Sequence, residues 1–420
     1  MVNICIRFVL FVILCAVGVK GVSAQSFQDY KKASENRFSN YENEFEDYKT
    51  KLNKEFEQFK KIYDTEFIKF TDSVYKIWAD RLVSDNKIWV EYSPDMKTRR
   101  IINFETGEIT IQIKDENADN IKLATELANF ITEDVSAANR NDLLSANVEA
   151  KLKDAGIKAE SSEAPKGAPI ILSMVSNSIN TTAKGVAKVA ADLMKQGTTK
   201  LETLSNGDKA ITLTTSVVVE QEQLPQVSGS AALTANTSVG KIHKKAGDYK
   251  NLVKQYAADR KMPEALVYAV IHNESSFNPK AVSHVPAYGL MQLVPKSGGA
   301  EAASVYFGKQ VVLAPSYFYN PENNIKLGAT YLSQLYYNYF KGIKNPEVRL
   351  YCTICAYNTG PGNVSRAFIG STKLGNAISV INEKSPQEAY NILLNKLPYE
   401  ETRNYLKKVS SSYNAYYGYK

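Results

Sequence analysis

From about Ser26 to Asp80 the apolar positions step by three or four: Phe38, Tyr41, Phe45, Tyr48, Leu52, Phe56, Phe59, Tyr63, Phe67, Phe70 and Val74. The residues between them are mostly Lys, Glu, Asp and Asn. This spacing predicts one long amphipathic helix, or two packed ones, over 25–80. Its aromatic stripe suits sugar rings or a packed seam, and the seam is the expectation. Between Trp78 and Glu220 the period changes. "RRIINFETGEITIQI" alternates on both sides of Thr106-Gly107 and reads as a β-hairpin. "NIKLATELANFITEDV" has helical spacing, and "AITLTTSVVVE" reads as a strand. Residues 81–220 are therefore expected to form an α+β domain, with a loop at "AESSEAPKGAP". The small, polar run across 221–246 reads as a linker.

From about Gly247 the pattern is helical to the end. "NPENNIKLGATYLSQLYYNYF" and "NPEVRLYCTICAYN" both open Asn-Pro-Glu, "PEALVYAVIHNESSF" opens Pro-Glu, and "LPYEETRNYLKKVSSSY" opens at Pro398. Asn caps a helix well, Pro suits its first position, and an acid suits its first turn. The fold class is thus α+β, an N-terminal helical and α+β part followed by an all-α domain over 247–420.

One residue breaks the apolar logic of that domain. Leu266, Val267, Val270 and Ile271 mark a buried helix face, and Glu274 falls on it. Asn278-Pro279 is expected to end the helix, because the residue before proline disfavours α geometry. Glu274 then sits in the last turn, where the negative end of the helix dipole and burial both raise a carboxyl pKa. A glutamate kept protonated near neutral pH is a general acid. A frayed end with Glu274 in solvent is the competing reading. His272 faces away from Glu274 by helical phase and reads as a surface residue.

Composition narrows the setting. The chain has 420 residues, two or three domains' worth, and a formal net charge of +7. Arg7 precedes an apolar run from Phe8 to Val19, and Val22-Ser23-Ala24 closes it, as in a signal peptide over 1–24. The run is too short to span a bilayer. No lipobox cysteine stands there, since Cys15 follows Ile13-Leu14, so a lipid anchor is not expected. Arg7 and Lys20 are the only charges of this segment, which leaves +5 for the rest. That balance favours an anionic polymer as partner. Without a dense basic patch or a nucleic-acid motif, nucleic acid is not the expected partner. Cys352 and Cys355 form a C-x-x-C inside a helical pattern, without the strand-to-helix context of a redox site. They read as small core residues.

The ordered motifs E-S-S-F-N-P, G-L-M-Q, N-I-x-x-G-x-x-Y-L, A-Y-N-x-G-x-G and E-T-R-x-Y resemble those of family 1 lytic transglycosylases, with their goose-type lysozyme-like catalytic domain. The match covers roughly Gly247 to Lys420. "WADRLVSDNKIWVEYSPDMKTRRIINFETGEITIQI" resembles the N-terminal domain of the transglycosylase C group of these enzymes, a group that is typically lipid-anchored. The resemblance implies cleavage of the β-1,4 bond between N-acetylmuramic acid and N-acetylglucosamine in peptidoglycan, leaving a 1,6-anhydro end. It implies Glu274 as the single acid/base. Ser283 and Gln292 match positions that touch the sugar or support the acid, and Tyr357 matches a tyrosine near the acid and the substrate's N-acetyl group. Glu401 matches an acid at the cleft, and Tyr288 and Met291 would wall the pocket. Gly289 and Asn358 belong to the same motifs on the substrate side.

Ordinary glycosidases use two carboxylates, yet 275–300 contains no Asp or Glu. Glu301, Glu322 and Glu401 remain candidate partners, which leaves a lysozyme-like hydrolase as the alternative. A wall-binding protein with a decayed site is a third reading, opposed by the intact motifs. No cofactor or metal is implied, since the chain's three histidines form no Cys/His cluster. The expected location is the periplasm, with peptidoglycan as partner and peripheral association with wall or membrane through the long helix. Oligomeric state, endo or exo cleavage and dependence on peptide stems are not legible.

Overall fold

The computed structural model describes residues 50, 53–115, 117–164, 167–175, 182–221, 233–235 and 239–419. The expected leader, the first half of the long helix and most of the polar stretch after Gln221 lie outside these residues. Phe56–Lys420 form one compact unit. Of the chain before it, residues 50 and 53–55 are described, and they are helical.

Helix α1 covers 53–78. From Phe56 onward its stripe is a packed seam, with Phe56, Phe59, Tyr63 and Val74 buried. The helix ends at Trp78, whose indole N–H donates to Met96 O at 2.7 Å. Strands β1 (Ile88–Tyr92), β2 (Thr98–Asn103) and β3 (Glu108–Ile113) follow as an antiparallel meander. The expected hairpin is there, pairing Ile102 with Ile109. Gly107, at φ 77°, makes its turn, a conformation glycine adopts without strain.

Helices α2 (Asn120–Thr132), α3 (Val135–Asn141) and α4 (Leu143–Asp154) come next, then α5 (Ala183–Gln196). Strands β4 (Thr198–Thr203) and β5 (Lys209–Ser216) complete a five-stranded sheet in the order β1-β2-β3-β5-β4. Period-2 alternation sends Trp89, Ile102, Ile109 and Ile111 into a core with α2 and α5. Val90 and Tyr92 face the other way, onto Val74 and Trp78 of α1.

The polar run 221–246 is more integrated at its end than a linker would be. Ile242–His243 pairs with Glu220–Gln221. Lys245 is buried, its ammonium donating to Ile170 O and Asp248 Oδ2, both at 2.7 Å.

The helical region comprises α6 (Lys250–Asp259), α7 (Glu264–Ser275), α8 (Gly298–Phe307), α9 (Pro321–Gln334), α10 (Pro346–Thr359), α11 (Pro361–Ile369), α12 (Leu374–Ile381), α13 (Pro386–Lys396) and α14 (Glu400–Tyr416). The Asn-Pro-Glu starts behave as expected. Asn320 accepts from the amides of Glu322 and Asn323, and Asn345 from those of Glu347 and Val348. The last helix differs: it begins at Glu400, beyond Pro398, with no side-chain cap. Helix α7 is buried on nearly every side, from Ala265 to Ile271, as suits the centre of a helical domain. Helix α14 lies along it, and Tyr268 stacks on Tyr416 with centroids 5.2 Å apart.

Cys352 and Cys355 are free and fully buried in α10, and burial pushes both thiols up. They are core residues. Among the described residues no helix is long and apolar enough to cross a membrane.

Candidate active site

Helix α7 stops earlier than the proline rule implies. It ends at Ser275, and Ser276 and Phe277 are both left-handed, at φ 48° and 62°. Non-glycine residues take this conformation rarely. Here it is held by burial: Phe277 is fully buried and stacks on His243 at 5.2 Å. The abrupt stop leaves Glu274 in the last turn, partly exposed.

The loop that follows folds back beside it. Tyr288 makes backbone bridges to Val282 and Leu293. Three side chains then fix the Gly289–Gln292 turn. Asn324, fully buried in α9, accepts from Met291 N at 2.7 Å and donates to Tyr288 O at 2.8 Å and Phe318 O at 2.9 Å. Ser275 Oγ donates to Leu290 O at 2.8 Å. Tyr357 Oη donates to Met291 O at 2.7 Å. Gly289, at φ 71°, must be glycine, because a Cβ there would meet Asn324 Nδ2 at 2.4 Å. Gln292, at φ 46°, donates from Nε2 to Gly289 O at 3.1 Å.

Gly328 lets Met291 lie against α9; a Cβ would stand 2.2 Å from its Sδ. Alanine normally favours a helix over glycine by about 1 kcal/mol. Overpacking costs about 1–3 kcal/mol. Gly328→Ala is therefore expected to lose about 1 kcal/mol in urea denaturation, with lower activity because Met291 is pushed toward the cleft.

Glu274 is surrounded by groups from three elements. Burial pushes its carboxyl up to about 7, against the pull of the Tyr405 phenol and the Lys87 charge, with Glu401 adding to the rise. The Tyr405 hydroxyl is buried and turned toward the acid, and it is the hydrogen-bonding group that pulls the Glu274 carboxyl down. The Glu274 charge in turn raises the phenols of Tyr357 and Tyr405, secondary to their own burial. Thr402 Oγ1 donates to Asn358 Oδ1 at 2.6 Å, and Asn358 Nδ2 to Glu401 Oε1 at 3.5 Å. The structure thus gathers Glu274, Tyr357, Asn358, Glu401 and Tyr405.

Other expected site residues stand differently. Tyr288 is buried against Phe318, Tyr319 and Tyr63 rather than walling a pocket, because the turn directs its ring inward. Met291 is fully buried and reaches the site through its carbonyl. Ser283 closes its own loop, accepting from Ala287 N at 3.1 Å and donating to Val285 O. It lines a cavity of about 350 Å³ with Phe67, Trp89, Glu91 and Lys280, and Glu274 is not in that lining. His272 is half-buried rather than fully exposed: Tyr416 Oη lies 3.1 Å from its Nδ1, and Phe277 packs beside it.

Of the other candidate carboxylates, Glu322 accepts from Tyr256 Oη at 2.5 Å and Glu301 from Tyr339 Oη at 3.4 Å. Among the described residues no group of three or more His, Cys, Asp or Glu is arranged to hold a metal ion.

Residues 251–379, which carry Glu274, the Gly289–Gln292 turn and Tyr357, match the transglycosylase SLT domain. The chain is 31% identical over 352 residues to the membrane-bound lytic murein transglycosylase C of Cronobacter sakazakii, covering 83% of this chain and 87% of that one. It is 30% identical to the protein of that name from Salmonella typhimurium over the same length. The 70-kDa soluble lytic transglycosylase of Escherichia coli is 28% identical over 42% of this chain and 26% of its own, with a TM-score of 0.31. The chain belongs to the membrane-bound lytic murein transglycosylase C family.

Proposed function

We propose that this lytic transglycosylase cleaves the β-1,4 bond between N-acetylmuramic acid and N-acetylglucosamine of peptidoglycan with Glu274 as its one acid/base. The protonated carboxyl gives its proton to the glycosidic oxygen as the bond from the muramyl anomeric carbon breaks. The resulting carboxylate takes the proton of the muramyl 6-hydroxyl as that oxygen bonds to the same carbon. The proton is returned, no water is consumed, and the product carries a 1,6-anhydro ring.

The observation that carries this reading is the setting of Glu274: it closes the last turn of α7 facing the phenols of Tyr357 and Tyr405, where burial pushes its carboxyl up to about 7. It is a donor at neutral pH and becomes an acceptor once its proton has left. Glu401 is the other acid whose charge reaches it. Glu401 is exposed and engaged with Asn358, which suits the rim of the cleft better than a nucleophile. Tyr357 ties the Met291 carbonyl to the same cleft and is positioned to order the N-acetyl side of the sugar. Activity on peptidoglycan makes the cell envelope the place of work.

The test is mass spectrometry of muropeptides released from purified sacculi. Products short of one water establish the transglycosylase, whereas reducing ends mean a hydrolase and direct attention to Glu401. Because the acid must hold its proton, kcat/KM is expected to fall as pH rises through about 7, read from initial rates across pH.

A further inference from the structure

The last four carbonyls of an α-helix have no partner within it, and in α7 they belong to His272, Asn273, Glu274 and Ser275. His272 O accepts from Ser276 N at 3.0 Å, and Ser275 O from Asn278 N at 3.0 Å. The other two are met from the far end of the chain. Lys87 Nζ donates to Asn273 O at 2.9 Å, as well as to His272 O at 3.1 Å and Ser276 Oγ at 2.9 Å. Asn86 Nδ2 donates to Glu274 O at 3.0 Å.

We propose that Asn86 and Lys87 are positioning residues for Glu274: they complete the last turn of α7 from the N-terminal region and so fix where its carboxyl points. The inference rests on the acid/base reading of Glu274.

The clamp is itself held rigidly. Asp85 Oδ1 accepts from the amides of Lys87 and Ile88 at 2.7 and 2.6 Å, fixing the turn into β1. Lys87 O accepts from Phe104 N at 2.9 Å, which ties it to the β2–β3 hairpin. Val282 N donates to Asp85 O at 3.3 Å, so the same turn also touches the loop that folds back beside the acid. A cation at the C-terminal end of a helix meets the negative end of its dipole. Without it, the Asn273 carbonyl next to the reacting group would be left to water, and the final turn, already stopped by two left-handed residues, would fray.

The ammonium also acts on the acid through space. Its charge holds Glu274 lower than burial alone would. Burial brings Lys87 itself down to about 8, while the charges of Glu105, Glu274 and Asp85 hold it up and that of Lys408 lowers it. The groups facing Glu274 are Lys87, Glu401 and the phenols of Tyr357 and Tyr405.

The test uses the full chain with Lys87→Met, Lys87→Arg, Asn86→Ser and Glu274→Gln, digesting sacculi across pH, beside thermal unfolding of each. Lys87→Met is expected to lower kcat by roughly tenfold to a hundredfold with KM little changed, and to move the alkaline limb upward, because a cation near the acid is gone. Lys87→Arg should restore most of both. Should Lys87→Met fail to fold, Asn86→Ser carries the test, with a several-fold fall in kcat at unchanged KM. A folded Lys87→Met with wild-type kcat and pH limb, beside an inactive Glu274→Gln, overturns the clamp alone. So does unchanged kcat in Asn86→Ser where that variant carries the test. A Glu274→Gln enzyme that still digests removes the acid/base reading and the clamp's role with it.

Discussion

Glu274→Gln will lose digestion of sacculi by a factor of roughly a hundred to ten thousand or more, the usual contribution of a positioned acid/base. The amide keeps the size of the side chain but neither gives a proton to the leaving oxygen nor takes one from the muramyl hydroxyl. The loss should not come from unfolding, and the sign of the pH linkage shows why. A carboxyl whose folded pKa lies above its unfolded one favours the fold most at low pH, and that contribution is lost as pH rises from the unfolded value through about 7. Glutamine has no such loss. At pH 8 the variant should therefore unfold at the same temperature as the wild type or higher, while releasing soluble muropeptides at about a hundredth of the wild-type rate or less. Thermal unfolding and muropeptide release at that pH check both halves.

Asn324→Leu will cause the second large effect, this time on stability. The side chain is fully buried and makes three hydrogen bonds: it accepts from Met291 N and donates to Tyr288 O and Phe318 O. Leucine has nearly the same size but leaves one amide and two carbonyls without these partners. Each buried group left so costs about 1–3 kcal/mol, and because they share one site the sum falls short of three times that. A loss of about 3–4 kcal/mol in urea denaturation is expected. Activity should fall further than stability alone explains, since the same turn presents Met291 O to Tyr357.

What was legible in the chain was local. The β2–β3 hairpin, the Asn-capped helix starts, the buried cysteines and the placement of Glu274 in a last turn all follow from spacings of a few residues. The end of α7 was misplaced because Pro279 gives a local stop signal, whereas the true stop is enforced by packing of Phe277 on His243. His272 reads as a surface position by phase, and it is half-buried because Tyr416 and Phe277 cover one side of its ring, which nothing local shows. Tyr288 looked like a pocket wall within its motif, but the bridges to Val282 and Leu293 turn its ring into the core. Ser275, inside E-S-S-F-N-P, shows its task only in three dimensions, where its hydroxyl donates to Leu290 O. Asn86 and Lys87 had no signal at all, as residues in a polar turn far from the acid in sequence.

That distance has a consequence for how the enzyme comes to be active. The bonds from Asn86 and Lys87 to the end of α7 join residues 185 to 189 positions apart. Contacts of such separation close the largest loops and carry the entropy of bringing both ends together. The helix can wind from its own sequence, but its last turn is finished only when the β1–β3 meander has formed and docked. With the clamp as proposed, cutting power is a late property of the chain, expected of the assembled molecule and not of its nascent pieces.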